Sequence, residues 1–243
     1  MSRPLVIAHR GASGERPENT LPAYELAVAQ HADMIEIDLH LTRDRVIVIH
    51  HDAHLKRLGA LGEIADYAAD ELASMNAAPG TEWVESIPTL LDVLDGFGDR
   101  MEFNLEIKVG AEDAYRDIEE LAFAAVEARG LVSRMLFSSF DDGVLKRLRA
   151  VSEEARLAVL VSPRVPVGIL ERAEEVGAEA INPEVSLVSA ALCQQAHGAG
   201  LAVYPYTANE TREMERLLDA GVDGIITNYP ARLRALVDGR FGS

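Results

Sequence analysis

The chain has 243 residues, 48% of them hydrophobic, enough for a sizeable core and a size that suits one α/β barrel domain over residues 1–243. Its 23 Lys and Arg against 40 Asp and Glu give a net charge of −17, which disfavours nonspecific binding to nucleic acid or anionic membrane, since both need a basic face. Any anionic ligand must then meet positive charge placed locally, by a metal ion or a few cations.

The single cysteine, Cys193, allows no internal disulfide and stands in no CxxC or Cys/His cluster, as in a reducing compartment. Residues 1–4 lead straight into an apolar strand, leaving no room for a secretory signal, and no run approaches the about 18 apolar residues of a membrane span. The expectation is a cytoplasmic protein with no membrane span and no nucleic-acid partner; monomer and homo-oligomer are equally compatible with it.

Along the chain, short β-rich apolar runs alternate with amphipathic stretches. A strand is predicted over Leu5–His9, a helix at 19–30 and a strand over Met34–Leu39. The stretch from about 45 to 86 breaks the rhythm, with an extra short strand Val46–His50 and an irregular segment carrying Pro79-Gly80 and the only tryptophan, Trp83. A helix at 88–97 follows, then strand Glu102–Ile107, helix 112–129, strand Arg134–Ser138, helix 142–151, strand Arg156–Val161 and helix 167–176. The last units are strand Ala178–Ile181, helix 187–198, strand Leu201–Tyr204, helix 209–219, strand Gly221–Thr227 and helix 230–238, with Asn19, Asn209 and Ser139 as helix caps.

Eight βα units point to the α/β class and a (β/α)8 TIM barrel, with the 45–86 segment as a small insertion after the second strand. On that side of a barrel an insertion sits above the mouth, as a lid, a substrate wall or a purely structural excursion. A doubly wound open sheet is the other arrangement with the same units, but Gly11-x-x-Gly14 lacks the GxGxxG spacing of a dinucleotide site.

Strand side chains two apart point the same way, so Glu36 and Asp38 share one face while Ile35, Ile37 and Leu39 take the other. The same parity groups Asn104, Glu106 and Lys108 against Phe103, Leu105 and Ile107. Two carboxylates about 5 Å apart repel by roughly 3 kcal/mol at an effective dielectric of about 20, so three converging ones call for a cation or raised pKa values. Oxygen-only ligands fit a hard divalent ion, Mg²⁺ or Ca²⁺; the alternative is that Glu36, Asp38 and Glu106 merely pair with Arg10 and Lys108.

Of seven histidines, His9 closes the first strand and His51 shares parity with Ile47 and Ile49, while His50 falls with Val46 and Val48. Two histidines of near-neutral pKa can take a proton from an attacking oxygen and give one to a leaving alkoxide, and His9 and His51 are the expected pair. His31, His40, His50, His54 and His197 are expected at the surface or in packing. Arg10 offers a planar fork for phosphate oxygens and Lys108 a compact charge; with only Lys56 and Lys146 as other lysines, against 20 arginines, its place after Glu106-Ile107 is not casual.

Read together, these residues resemble the glycerophosphodiester phosphodiesterase family. The likeness lies in His9-Arg10-Gly11, Pro17-Glu18-Asn19-Thr20, Glu36-Ile37-Asp38, Thr42-x-Asp44, His51-Asp52 with Leu55 and Arg57, and Ile87-Pro88-Thr89-Leu90. It continues through Glu106-Ile107-Lys108, Ser138-Ser139-Phe140, Thr207-Ala208-Asn209 and Gly221-Val222-Asp223-Gly224-Ile225-Ile226-Thr227 with Pro230.

The resemblance implies a TIM-barrel hydrolase that cleaves deacylated phospholipids to sn-glycerol 3-phosphate and an alcohol with a bound divalent ion. It implies Glu36, Asp38 and Glu106 as metal ligands, His9 and His51 as general base and acid through a cyclic phosphate, and Arg10, Lys108 and Tyr206 at the substrate. Glu18, Asn19 and Asp52 would support the site. Tyr206-Thr207 stands where the family has Trp-Thr, Thr227-Asn228 where it has Thr-Asp, and Leu58-Gly59 where two threonines are common, which bears on substrate preference rather than reaction class. The alternatives are a lysophospholipase D-like phosphodiesterase, whose acyl groove would have to lie near Trp83, and a non-catalytic barrel binding a phosphorylated ligand.

Overall fold

The alternating pattern folds as a nearly closed barrel of parallel strands with helices outside. The computed structural model describes residues 3–110 and 115–242. In chain order the elements are β1 (Leu5–His9), α1 (Leu21–Ala29), β2 (Met34–Leu41), β3 (Ile47–Ile49), α2 (Ala69–Ala73), α3 (Leu90–Phe97), β4 (Glu102–Ile107), α4 (Ile118–Glu127) and β5 (Met135–Ser139). There follow α5 (Asp142–Val151), β6 (Arg156–Val161), α6 (Ile169–Val176), β7 (Ala180–Pro183), α7 (Ala190–Gly198), β8 (Ala202–Val203), α8 (Thr211–Ala220), β9 (Gly224–Thr227) and α9 (Pro230–Phe241).

The strands pair in the order β8-β7-β6-β5-β4-β2-β1-β9, all parallel, while β3 adds to β2 antiparallel. The two ends of that path are tied by main-chain bonds: Asp223 N–H donates to Val203 O (3.1 Å) and Ile226 N–H to Pro205 O (2.9 Å). This closure decides between the two arrangements that the pattern of units allows. No helix among the described residues is long and apolar enough to cross a membrane.

Strand parity holds through the barrel wall. All eight residues of β2 are buried, as expected of a parallel strand covered on both faces. Ile35, Ile37, Leu39, Phe103, Leu105 and Ile107 pack outward in the main core beneath the helices, each worth roughly 1.5–3 kcal/mol of burial. Tyr24 of α1 joins them, meeting Phe97 and Phe103 edge to face at 5.8 and 6.4 Å. Inside the barrel, Ile7, Met34 and Ile226 form one apolar cluster and Leu136, Ala158 and Ala180 another. The polar residues of β2 and β4 lie farther along the same inward series.

The 45–86 segment has its own small core of Val48, Leu55, Ile64, Leu72 and Ala77, completed by Ile87. At its far end Thr89 and Asp92 form a capping box for α3, with Asp92 N–H donating to Thr89 Oγ1 (3.1 Å) and Thr89 N–H to Asp92 Oδ2 (2.9 Å).

Several boundaries differ from expectation. Gly177 and Gly221 end α6 and α8 in the left-handed conformation, at φ 63° and 87°, so β7 and β9 begin two and three residues later than predicted. Part of the predicted helix 112–129 falls on residues 111–114, which lie outside the described residues.

The caps are corrected too. Asn19 has φ 57°, not the extended backbone of an N-cap, and Thr20 occupies that place. For α5 the cap is Asp141, which accepts from Val144 N–H (3.0 Å), and for α8 the cap position is Glu210 rather than Asn209.

Candidate active site

β1, β2 and β4 bring the site together at their C-terminal ends. Register sets Glu36 opposite Asn104 and Asp38 opposite Glu106, so three carboxylates converge on one inward face. One oxygen from each of Glu36, Asp38 and Glu106 lies within 4.8 Å of the other two, and all three side chains are buried. They adjoin a cavity of about 110 Å³ lined by His9, Arg10, His51, Lys108, Tyr206 and Phe140, with Glu36, Glu106, Asn104 and Ser138.

Two cations meet the three carboxylates. Lys108 Nζ lies 2.7 Å from Asp38 Oδ1 and also bonds Glu106, and Arg10 Nε lies 3.0 Å from Asp38 Oδ2. Burial opposes ionisation of Asp38, but Lys108 and Arg10 outweigh it and hold the carboxyl well below its usual range. Glu36 is pushed well above its usual value by burial and by Asp38 and Glu106, while burial lifts Glu106 to about 7 against the pull of Lys108. One positive charge is missing for full ionisation. Glu36 Oε1 is buried with no hydrogen-bond partner, the condition of an oxygen shaped for a cation. The residues present therefore fit a hard divalent ion held by Glu36, Asp38 and Glu106.

Each histidine is oriented by a second side chain. His9 Nδ1 lies 2.7 Å from Asn228 Oδ1, and its Nε2 is 3.8 Å from Glu36 Oε2. Burial, reinforced by Arg10, pulls His9 down to about 4, so the ring is neutral at neutral pH. His51 Nδ1 lies 2.8 Å from Asp52 Oδ1, and burial with Arg10 lowers its pKa as well. β3 ends at Ile49, with Ile47 and Ile49 in the outer core, so strand parity does not extend to His51. The bend after β3, where pairing stops, is what leaves His51 at the cavity.

The supporting residues fall where they bear on the carboxylates. Asn19 Nδ2 donates to Asp38 Oδ2 (2.8 Å), and Tyr24 Oη donates to Asn19 Oδ1 (3.3 Å). Arg10 Nη1 reaches Glu18 Oε2 (2.8 Å), whose other oxygen is 2.7 Å from Arg57 Nη1; these two arginines outweigh burial and lower the Glu18 pKa. Tyr206 packs edge to face on Phe140, centroids 5.9 Å apart, and donates its hydroxyl to Val161 O (3.2 Å). Trp83, by contrast, does not line this cavity: it lines a separate open groove of about 590 Å³ with Arg16, Glu18, Arg57 and Thr81, where the Arg16 guanidinium covers its ring at 4.8 Å.

Sequence reasoning missed Asn228, Tyr24, Arg57 and Phe140 as parts of the site. Arg57 and Phe140 stood in the motif blocks, and Asn228 was visible as a departure; nothing in the local sequence distinguishes Tyr24 from a core tyrosine.

Residues 9–232 match the glycerophosphoryl diester phosphodiesterase family. The chain belongs to that family of hydrolases. A glycerophosphodiester phosphodiesterase of Caldanaerobacter subterraneus subsp. tengcongensis is 33% identical over 241 residues, 96% of this chain and 97% of the relative. The glycerophosphodiester phosphodiesterase of Bacillus subtilis is 30% identical over 251 residues, 94% of this chain and 84% of the relative. Among solved structures, an Oleispira antarctica phosphodiesterase in complex with the product sn-glycerol-3-phosphate is 31% identical, with a TM-score of 0.83 over 97% of each chain.

Proposed function

We propose that the protein hydrolyses glycerophosphodiesters to sn-glycerol 3-phosphate and an alcohol, using a divalent ion, Mg²⁺ or Ca²⁺, held by Glu36, Asp38 and Glu106. The observation that carries this reading is the placement of two oriented histidines, His9 and His51, on one small cavity beside a buried, charge-deficient carboxylate cluster. The bound product of the Oleispira relative supports the same class of substrate.

In this reading Arg10 and Lys108 hold the phosphodiester anion against the cavity wall, and Tyr206 with Phe140 walls the glycerol side. His9, neutral and with Nε2 free, takes the proton of the glycerol 2-hydroxyl as that oxygen attacks phosphorus. The bond to the alcohol breaks, and His51, in the protonated form that Asp38 and Asp52 favour against burial, gives the departing oxygen its proton, leaving a cyclic phosphate. His51, now neutral, takes a proton from water, whose oxygen adds to phosphorus, and His9 returns its proton to the 2-oxygen as the ring opens. The divalent ion, when bound, supplies positive charge to the phosphoryl oxygens.

The test is incubation with glycerophosphocholine and glycerophosphoethanolamine in the presence of divalent ions, with sn-glycerol 3-phosphate measured. Release from at least one is expected; no release with any headgroup would overturn the reading.

A further inference from the structure

His40 lies two residues beyond Asp38 on β2, so it continues the inward series of Met34, Glu36 and Asp38 to the rim of the barrel. It is buried and does not line the catalytic cavity. Both ring nitrogens are engaged: Nε2 is 3.1 Å from the main-chain oxygen of His51, and Nδ1 is 2.5 Å from Tyr115 Oη. A carbonyl oxygen only accepts, so Nε2 carries the proton, and on the neutral ring Nδ1 accepts from the Tyr115 hydroxyl. The two rings meet edge to face, 5.4 Å between centroids and 82° between planes, which fixes the imidazole plane.

His51 needs such a hold. β3 ends at Ile49, and the last main-chain bond to β2 is His50 N–H to Asp38 O (3.1 Å). Among the described residues, His40 is the one group bonded to the His51 main chain. Asp52 orients the His51 ring, but it is the next residue of the same bend and moves with it. Among the described residues only the His40 bond ties the His51 main chain back to the barrel wall, and Tyr115, from the segment after β4, keeps His40 in place.

We propose that His40, clamped by Tyr115, is a positioning residue that fixes the His51 backbone and so sets the reach of the His51 ring toward the leaving alcohol. This inference rests on the reading of His51 as general acid.

The experiment compares wild type, His40→Leu, His40→Gln, Tyr115→Phe and His51→Ala on two substrates. One is glycerophosphocholine, whose alkoxide needs a proton to leave; the other is the p-nitrophenyl ester of glycerol phosphate, whose phenolate leaves without one. His40→Leu is expected to lower kcat on the choline ester by about 10- to 100-fold with KM within about threefold, and to change the nitrophenyl ester rate by less than about threefold. Tyr115→Phe, which loses only a hydroxyl, gives the same selectivity with a smaller loss, and His40→Gln, which keeps a donor for the carbonyl, recovers part of the rate. Equal losses on both esters in His40→Leu and Tyr115→Phe, beside a leaving-group-selective His51→Ala, would overturn the clamp alone. A His51→Ala variant without that selectivity would overturn the acid role and the clamp with it.

Discussion

His9 and Asn228 stand 219 residues apart in the chain and meet at 2.7 Å, Nδ1 to Oδ1. An amide oxygen only accepts, so the His9 proton sits on Nδ1 and the bare Nε2 faces the cavity, as a base requires. Asn228 is held in turn, its N–H donating to Asn209 Oδ1 at 2.9 Å. Asn228→Asp places a negative charge at the same atom and is expected to raise the His9 pKa from about 4, seen as a shift of its imidazole titration by NMR. An unmoved titration would show that this pair does not govern His9.

His9→Ala and His51→Ala are each expected to lower turnover of glycerophosphocholine by a factor on the order of 100 to 10,000. Because the two act on one proton relay, the double variant loses less than the product of the single losses. A near-normal rate in either single variant would remove that residue from the mechanism.

The carboxylate cluster makes metal binding depend on pH. Folding raises the Glu106 pKa from 4.5 to about 7, so its protonated form stabilises the metal-free fold fully below 4.5, and that contribution is gone once pH has risen through 7. Glu36 shifts in the same direction. A divalent ion binds the ionised form, so Mg²⁺ should raise Tm more at about pH 8 than at about pH 5. An equal rise at both would show that these carboxylates are not the ligands.

Gly11 anchors the turn that carries Arg10. It has φ +82°, and a Cβ there would stand 2.7 Å from the backbone carbon of Ala23, an atom of α1 that cannot move aside alone. Gly11→Ala is expected to destabilise the fold by about 1–3 kcal/mol or more, lowering Tm by several degrees in calorimetry. An unchanged Tm would mean that the turn is not constrained in this way.

Most of the barrel was legible in the sequence because parallel strands declare themselves by apolar runs with fixed parity: Glu36, Asp38 and Glu106 face inward as their spacing requires. His51 reaches the cavity, but not for the reason that strand parity offers, since the strand ends two residues earlier and a bend directs the side chain. Asn19 suits both a cap and a support of the site by its position before a helix and in the motif, and its left-handed backbone rules out the cap while turning the amide to Asp38. Asn228 and Tyr115 escaped for a different reason. Their partners, His9 and His40, lie 219 and 75 residues away, and only closure of the barrel and its loops brings them together.

The most direct test of the central claim is glycerophosphocholine hydrolysis by metal-stripped protein, followed by phosphorus NMR before and after Mg²⁺ or Ca²⁺ is restored. No sn-glycerol 3-phosphate should form from the stripped protein, turnover should return with the ion, and Asp38→Asn should abolish the recovery. Undiminished hydrolysis by the stripped protein would contradict the assignment of Glu36, Asp38 and Glu106 as a metal site on which the reaction depends.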